Sequence, residues 1–268
     1  MTNNKPICLF DSGIGGFTVL KKLIQEFPNE KYIYFADLAR VPFGDKTKDE
    51  IKSIANEIIE WLLKFDPKLI VMACNTSSAL LNTKEKTYPV PIYGMIDSCA
   101  KNIAKSNYKK ITVWATKLVV ESHEYKKQIQ NYNPAIQVEE ISCPKLVPMI
   151  EGLNFTLEQR EEIISEYTNN TSTDSEGIIL GCTHYPLIAE DIKKSSKKET
   201  IDPTDYLVQD LLQQVPTMPS HSRDLPRQAS TTTAIYTTAQ KDKIERFAKL
   251  YLNEEIKATL VTLNKISV

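Results

Sequence analysis

Residues 69–76 read LIVMACNT, and residues 177–184 read GIILGCTH. Each stretch is an apolar run of strand length, followed by a small residue, a cysteine and further small polar side chains. Continuous apolar runs of this length are typical of strands in a parallel sheet that is covered on both faces. The two stretches therefore predict two equivalent buried strands, each with a thiol, Cys74 or Cys182, at its carboxyl end.

The apolar runs around these two stretches repeat along the chain. They lie at 6–10, 31–36 and 69–73 in the first half and at 111–115, 136–141 and 177–181 in the second. Ile111 follows Ile7 by 104 positions and Cys182 follows Cys74 by 108, so the offset is nearly constant. Segments with helical periodicity separate the strands. This pattern predicts an α/β fold of two similar parallel-sheet units, related by duplication and a pseudo-two-fold axis.

A tail extends beyond the repeated part. Residues 215–230 are rich in Pro, Ser and Arg and predict a surface loop. After it we predict a strand at 232–237, a helix at 240–252 and a last strand at 256–263. These elements exceed the duplicated core and are expected to complete one of the two sheets.

The composition narrows the class of protein. The chain has 268 residues, a formal net charge of −1 and 41% hydrophobic residues, which gives no support to nucleic acid or an anionic membrane as a partner. It has no apolar run of 18 residues, and the first apolar run is too short for a signal peptide. Five scattered cysteines without a CxxC pair, together with three histidines, favour free thiols in a reducing cytoplasm over disulfides or a zinc site.

The predicted position of the thiols points to acid/base chemistry. Ligands of open parallel α/β sheets bind beyond the carboxyl ends of the strands. A thiol titrates near working pH, and backbone N–H groups at a strand-to-helix turn favour its thiolate form. Cys74 and Cys182 on opposite sides of one substrate carbon would supply the two bases of a cofactor-free racemase. The alternative is that a buried cysteine only packs as a small hydrophobe, which is our interpretation for Cys8 and Cys99, whereas Cys143 stays open.

Other polar groups at predicted strand ends have two interpretations each. Residues 11–16 (DSGIGG) lack the Lys-Ser/Thr of a nucleotide P-loop, but the glycines and a helix N-terminus there would suit a carboxylate. Asp11 fits either this site or a plain helix cap. His184 fits either proton exchange beside Cys182 or a structural role.

Five motifs together resemble the glutamate racemase family. They are DSGIGG at 11–16, ARVPFG at 39–44, ACNT at 73–76, CP and VP at 143–148, and GCTHYP at 181–186. They stand in the family's order and spacing over residues 7 to about 205.

The resemblance implies a cofactor-independent isomerase that interconverts L- and D-glutamate by a two-base mechanism and supplies D-glutamate for peptidoglycan. It implies a cytoplasmic enzyme, a homodimer that needs no metal, nucleic acid or membrane. Cys74 would take the α-proton from D-glutamate and Cys182 from L-glutamate, with Asp11, Glu151 and His184 assisting the thiols. The substrate shell that it implies consists of Asp11, Ser12, Phe43, Gly44, Asn75, Thr76, Thr116, Thr183 and His184.

The resemblance also implies how the chain divides. Residues 1–96 together with 207–268 would form the first α/β domain, which carries Cys74. Residues 97–206 would form the second, which carries Cys182, and the active site would lie between the two domains.

The chain departs from the family pattern at three places. Phe43 stands where Tyr is usual, Val119 stands where Thr is usual, and residues 237–240 (TTAQ) replace a more usual Thr-Gly-Asp run. We expect Val119 to line the pocket, so that Val119→Thr would restore a carboxylate ligand. Two rival interpretations stay open at this point: a racemase of aspartate or another acidic amino acid, and a non-catalytic protein that binds an amino acid or a partner protein.

Overall fold

The computed structural model describes residues 5–81, 87–152, 155–214 and 232–263. Strands and helices alternate along the chain, as the apolar runs predict. The strands are β1 (Ile7–Asp11), β2 (Tyr32–Ala36), β3 (Leu69–Met72), β4 (Ile92–Gly94), β5 (Lys110–Ala115), β6 (Gln137–Ser142), β7 (Gly177–Gly181), β8 (Glu199–Ile201), β9 (Thr233–Thr237) and β10 (Ala258–Leu260). The helices are α1 (Phe17–Glu26), α2 (Lys48–Leu63), α3 (Asn75–Leu80), α4 (Met95–Lys105), α5 (Lys117–Ser122), α6 (Glu124–Tyr132), α7 (Leu146–Glu151), α8 (Leu157–Asn170), α9 (Ala189–Ser196), α10 (Pro203–Gln214) and α11 (Lys241–Leu252).

The strands form two parallel sheets with the same connectivity. The first has the order β10-β9-β2-β1-β3-β4 and the second the order β6-β5-β7-β8. The arrangement β2-β1-β3-β4 in one sheet therefore corresponds strand for strand to β6-β5-β7-β8 in the other. The predicted fold class, α/β with two similar parallel sheets, is confirmed.

The tail completes the first sheet. Strand β9 pairs with β2, and β10 pairs with β9, so the sheet combines strands from both ends of the described chain. The predicted loop at 215–230 lies outside the described residues. The division into domains at residues 96/97 and 206/207 stays a prediction, and the two boundaries would fall inside α4 and α10.

Burial explains why the strands are apolar throughout. Every residue of β1, β2, β3 and β7 is buried, because helices cover both faces of each sheet. On one face of the first sheet, Leu9 belongs to the same apolar cluster as Leu20 of α1 and Ile244 of α11. On the other face, Phe10 belongs to a cluster with Ile58 of α2. In open parallel sheets covered in this way, ligands bind beyond the carboxyl ends of the strands.

Local sequence signals set the ends of some helices. Thr47 and Glu50 form a reciprocal capping box at the start of α2, and Thr156 and Gln159 form one at the start of α8. In the described part of the chain, no helix has both the length and the apolar character that crossing a bilayer requires.

Candidate functional site

The carboxyl ends of both sheets border one cavity of about 320 Å³, a size suited to a small ligand. Cys74 enters it from the end of β3, and Cys182 enters it from the end of β7. The other predicted site residues that line the cavity are Ser12, Phe43, Gly44, Asn75, Thr76, Thr116, Glu151, Thr183 and His184. Of the residues predicted to act on the thiols or to form the substrate shell, all except Asp11 therefore border the same cavity.

Cys74 is the cavity thiol that follows a strand of the first sheet. It immediately precedes α3, and its Sγ atom is 3.9 Å from the Oγ atom of Ser12. Burial and, after it, the charge of Asp11 raise the pKa of the Cys74 thiol to about 11, and negative charge on Cys182 adds to this effect. This shift favours the protonated form of the Cys74 thiol at neutral pH.

Cys182 stands at the end of a chain of polar contacts. Its Sγ atom is 3.7 Å from Nδ1 of His184, and Nε2 of His184 is 2.7 Å from Oε1 of Glu151. The other oxygen of Glu151, Oε2, accepts a hydrogen bond of 2.8 Å from Nζ of Lys243. An imidazole held between a sulfur atom and a carboxylate can carry a proton to either side.

The opposite charges of His184 and Glu151 stabilise each other. Burial opposes the charged form of His184, but the hydrogen bonds and charges of Cys182 and Glu151 outweigh it and raise the pKa of His184 to about 10. Burial likewise opposes ionisation of Glu151, yet His184 and Lys243 together lower the pKa of its carboxyl to about 2. At neutral pH the arrangement is therefore an imidazolium between the carboxylate of Glu151 and the sulfur atom of Cys182.

Asp11 acts beneath the cavity rather than as a helix cap. Its Oδ1 atom accepts a hydrogen bond from the backbone N–H of Gly13, and its Oδ2 atom accepts one of 3.1 Å from Oγ1 of Thr183. Helix α1 has no side-chain cap, so the helix-cap interpretation is wrong. Burial raises the pKa of Asp11, although the charge of His184 and these hydrogen bonds oppose the shift. Asp11 thus joins the end of β1 to the turn that follows Cys182.

The N-terminus of α1 does not reach the cavity, contrary to the expectation that its glycines hold a carboxylate. Gly15 and Gly16 are buried. A Cβ atom on Gly15 would lie 2.3 Å from Oγ1 of Thr183 and 2.6 Å from Nδ1 of His184. Gly15 is therefore needed for close approach, because the α1 turn packs directly against the turn that carries Thr183 and His184.

Small polar side chains surround the rest of the cavity. Oγ1 of Thr76 and Oγ1 of Thr116 lie 3.2 Å apart, so hydroxyl groups from both sheets meet there. Val119, which we expected to line the cavity, is fully buried in the apolar core beside β5 and does not border it. That expectation is wrong. Thr116, which immediately precedes the short helix α5, borders the cavity, whereas Val119 on the helix is buried in the core.

The other three cysteines lie in two kinds of surroundings. All five are free, and Cys8 and Cys99 are buried in apolar clusters, as predicted. Cys143 borders the cavity, but its thiol donates a hydrogen bond of 3.5 Å to the carbonyl of Ile141. Asp37, which follows β2, does not border the cavity and pairs with Arg40 at 2.6 Å.

The structure adds residues that the sequence reasoning missed. Lys243 contacts Glu151 from the tail, and the phenol of Tyr125 donates a hydrogen bond of 2.6 Å to Oδ1 of Asn75. The hydroxyl of Thr18 on α1 donates to the backbone carbonyl of Thr183. None of the three stands in a motif or at a strand end, so no local signal in the sequence marks them.

Comparisons with known proteins agree with this arrangement. The sequence model of the Asp/Glu/hydantoin racemase family matches residues 15–211. The glutamate racemase of Fusobacterium nucleatum is 39% identical over 210 residues, which cover 77% of this chain and 80% of that protein. The glutamate racemase of Carboxydothermus hydrogenoformans is 35% identical over 254 residues, which cover 93% of each chain.

Solved structures resemble the whole fold. A glutamate racemase isoform from Bacillus anthracis superposes with a TM-score of 0.86 at 27% identity, covering 100% of both chains. The glutamate racemase from Francisella tularensis in complex with D-glutamate superposes with a TM-score of 0.85 at 29% identity, covering 98% of this chain and 99% of that one.

Proposed function

The chain belongs to the Asp/Glu/hydantoin racemase family and is a racemase, and from that premise we propose that it interconverts L-glutamate and D-glutamate. One observation carries the proposal: two thiols from equivalent strands border one small cavity that also holds hydroxyl and amide donors. Relatives named glutamate racemase match most of the chain, and a similar solved protein holds D-glutamate.

The polar groups of the cavity suit a dicarboxylate with an amine. The hydroxyl groups of Ser12, Thr76, Thr116 and Thr183 and the amide of Asn75 can each donate a hydrogen bond to a carboxylate oxygen. Gly44 borders the same cavity, and its backbone N–H is a donor that the departure to Phe43 does not remove. These donors would hold the substrate with its α-carbon between the two sulfur atoms.

The family resemblance assigns each thiol a direction, Cys182 acting on L-glutamate and Cys74 on D-glutamate. In the proposed step from L-glutamate, the Cys182 thiolate removes the α-proton and leaves a carbanion at the α-carbon. The protonated Cys74 thiol then delivers its proton to the opposite face, which gives D-glutamate, a Cys74 thiolate and a Cys182 thiol. The reverse reaction starts from that state, so no proton is gained or lost in a full cycle.

The surrounding groups would support this proton transfer. The imidazolium of His184 stabilises negative charge on Cys182 while it waits for L-glutamate. Asp11 holds the Thr183 hydroxyl and, through its charge, favours the protonated form of Cys74. The site chemistry needs no cofactor or metal, because both proton acceptors come from the chain itself.

We further propose the biological setting that the family resemblance implies. The enzyme would be a homodimer in the cytoplasm that supplies D-glutamate for peptidoglycan synthesis and so for cell-wall growth and cell shape. Residues 1–96 with 207–268 and residues 97–206 would be its two domains.

Exchange of the α-proton tests the proposed substrate. Purified protein, dialysed against a chelator, is incubated in D2O with each enantiomer of glutamate and of aspartate. Proton NMR follows loss of the α-proton, and circular dichroism follows inversion. We expect exchange and inversion of both glutamate enantiomers.

Activity on aspartate alone would make the protein an aspartate racemase, and exchange of neither amino acid would favour a non-catalytic binding protein. Restoration of activity only by an added cofactor would overturn the cofactor-independent mechanism.

A further inference from the structure

Lys243 contacts Glu151, which is linked through His184 to Cys182. The lysine lies in the tail, outside the duplicated part of the fold. Its Nζ atom is 2.8 Å from Oε2 of Glu151, while Oε1 of the same carboxylate is 2.7 Å from Nε2 of His184. The side chains of Lys243 and Glu151 are only 24% and 22% exposed, so bulk water screens the pair weakly. The two oxygens of Glu151 thus have one partner each.

The ion pair also joins the two sheets. Lys243 lies in the first turn of α11, which follows β9 of the first sheet. Glu151 ends α7, which follows β6 of the second sheet. The Lys243–Glu151 contact therefore ties the tail to the half of the site that contains Cys182.

We propose that Lys243 is a positioning residue for the Cys182 half of the site, and this inference rests on the proposed glutamate racemisation. Lys243 fixes one oxygen of Glu151, so that the other oxygen faces the imidazole of His184. His184 in turn directs its Nδ1–H toward the Cys182 sulfur. Without the lysine, the carboxylate can rotate about its side chain, and the imidazole loses the acceptor that orients it.

Electrostatics act in the same direction. Lys243 helps to lower the pKa of Glu151, and the charge of Glu151 helps to raise the pKa of His184. Loss of the lysine would therefore make the charged form of His184, beside Cys182, less favourable. Cys74 lies outside this series of hydrogen bonds: its Sγ atom is 3.9 Å from Oγ of Ser12, and Ser77 also hydrogen-bonds to it. The effect of Lys243 should therefore fall mainly on Cys182.

A one-sided effect can be measured with deuterated substrates. In Lys243→Met, removal of the α-deuteron of L-glutamate by Cys182 should become slower relative to the other steps. We expect kcat to fall roughly tenfold, the loss of one charge-assisted hydrogen bond. The primary isotope effect should rise for L-[2-²H]glutamate and stay equal or fall for D-[2-²H]glutamate. Lys243→Arg, which keeps the charge, should retain activity within about threefold.

A matched control comes from the same helix. Lys241 is 47% exposed, and its Nζ atom lies 3.7 Å from Glu245 on the protein surface. Lys241→Met removes the same charge from the first turn of α11 but should leave kcat and both isotope effects unchanged. Equal behaviour of Lys243→Met and Lys241→Met would overturn the proposal, as would an isotope effect that rises equally for both enantiomers.

A measurement without substrate separates this inference from the proposed function. Iodoacetamide labelling in the ligand-free enzyme, quantified for each cysteine by peptide mass spectrometry, should be several-fold slower at Cys182 in Lys243→Met and unchanged at Cys74. Unchanged labelling of Cys182 would contradict the positioning role.

If the wild-type protein does not racemise glutamate, the proposed function fails, whereas the labelling comparison still decides whether Lys243 acts on Cys182. Circular dichroism melts of each variant show whether a loss of folding explains any change.

Discussion

The phenol oxygen of Tyr125 lies 2.6 Å from Oδ1 of Asn75, and both residues are buried. Tyr125 belongs to α6 beside the second sheet, whereas Asn75 follows Cys74 at the end of the first. Because the phenol occupies the oxygen of the amide, the NH2 group of Asn75 is left to donate toward the cavity. The pair therefore fixes which end of the Asn75 amide a substrate meets.

We expect Tyr125→Phe to raise KM for glutamate more than it lowers kcat. The variant removes a hydrogen bond worth about 0.5–1.5 kcal/mol, which corresponds to a KM increase of roughly two- to tenfold. Steady-state kinetics in both directions measure the change. Tyr132→Phe is the control, since that phenol lies on the same helix and contacts the exposed Asp97. Equal KM values for Tyr125→Phe and the wild type would mean that Asn75 does not bind a carboxylate.

Replacement of either cavity thiol should abolish racemisation. Cys74→Ala and Cys182→Ala each remove the thiol that we propose as the proton carrier on one face of the α-carbon, and both should fold normally. A circular dichroism assay of glutamate inversion measures the loss, which we expect to exceed 1,000-fold, on the order of the cost of losing a positioned acid or base. Cys99→Ala, in the apolar core, is the control and should keep its activity. Near-normal inversion by either cavity variant would exclude the two-thiol mechanism.

The Glu151–His184 pair should stabilise the fold within a limited pH range. The pKa of Glu151 is lowered from 4.5 to about 2, so its contribution is complete above pH 4.5 and disappears as the pH falls toward 2. The pKa of His184 is raised from 6.5 to about 10, so its contribution is complete below pH 6.5 and disappears as the pH rises toward 10. The free energy of unfolding of Glu151→Gln should therefore differ from that of the wild type most strongly between about pH 4.5 and 6.5.

Urea unfolding at several pH values tests this difference, which we expect to be about 2 kcal/mol at its largest. Glu166→Gln is the control, because Glu166 pairs with Lys145 at an exposed position. A difference that does not depend on pH would show that Glu151 and His184 are not ionised together in the folded protein.

Val119→Thr should destabilise the protein without improving glutamate binding. Val119 is fully buried among apolar side chains, and an unpaired hydroxyl there costs about 1–3 kcal/mol. Thermal unfolding measures the loss, and KM for glutamate should stay the same. A lower KM with unchanged stability would instead place residue 119 in contact with the substrate.

Most of the strands could be predicted from apolar runs. β1, β2, β3, β5, β6 and β7 correspond to such runs, with ends that differ by at most one residue, and all of them except β6 are buried along most of their length. The short strands β4 and β8 were not predicted, because three residues that are only partly buried leave no periodic pattern. Their place in each sheet depends on pairing with β3 and β7, which a local pattern does not contain.

The same distinction applies to the site. Cys74 and Cys182 could be predicted, because each follows its own strand within one residue or two. Glu151 looks like an ordinary surface charge in the sequence, and only the family resemblance pointed to it. Lys243 and Tyr125 reach the site through contacts that span 92 and 50 residues, so their roles depend on the tertiary structure. Val119 was misplaced because a motif gives the position of a residue but not the face of the helix on which it lies.

The place of β9 between β2 and β10 has a consequence for biosynthesis. Strand β2 reads YIYFA and is buried throughout, and its partner β9 begins about 200 residues later in the chain. On the ribosome, the nascent first sheet therefore carries an unpaired apolar edge while the whole second sheet is translated. Exposed edges of this kind recruit other strands and lead to aggregation. Chaperone binding to nascent chains should consequently concentrate on β2, and a stop codon ahead of β9 should yield inclusion bodies rather than a smaller folded protein.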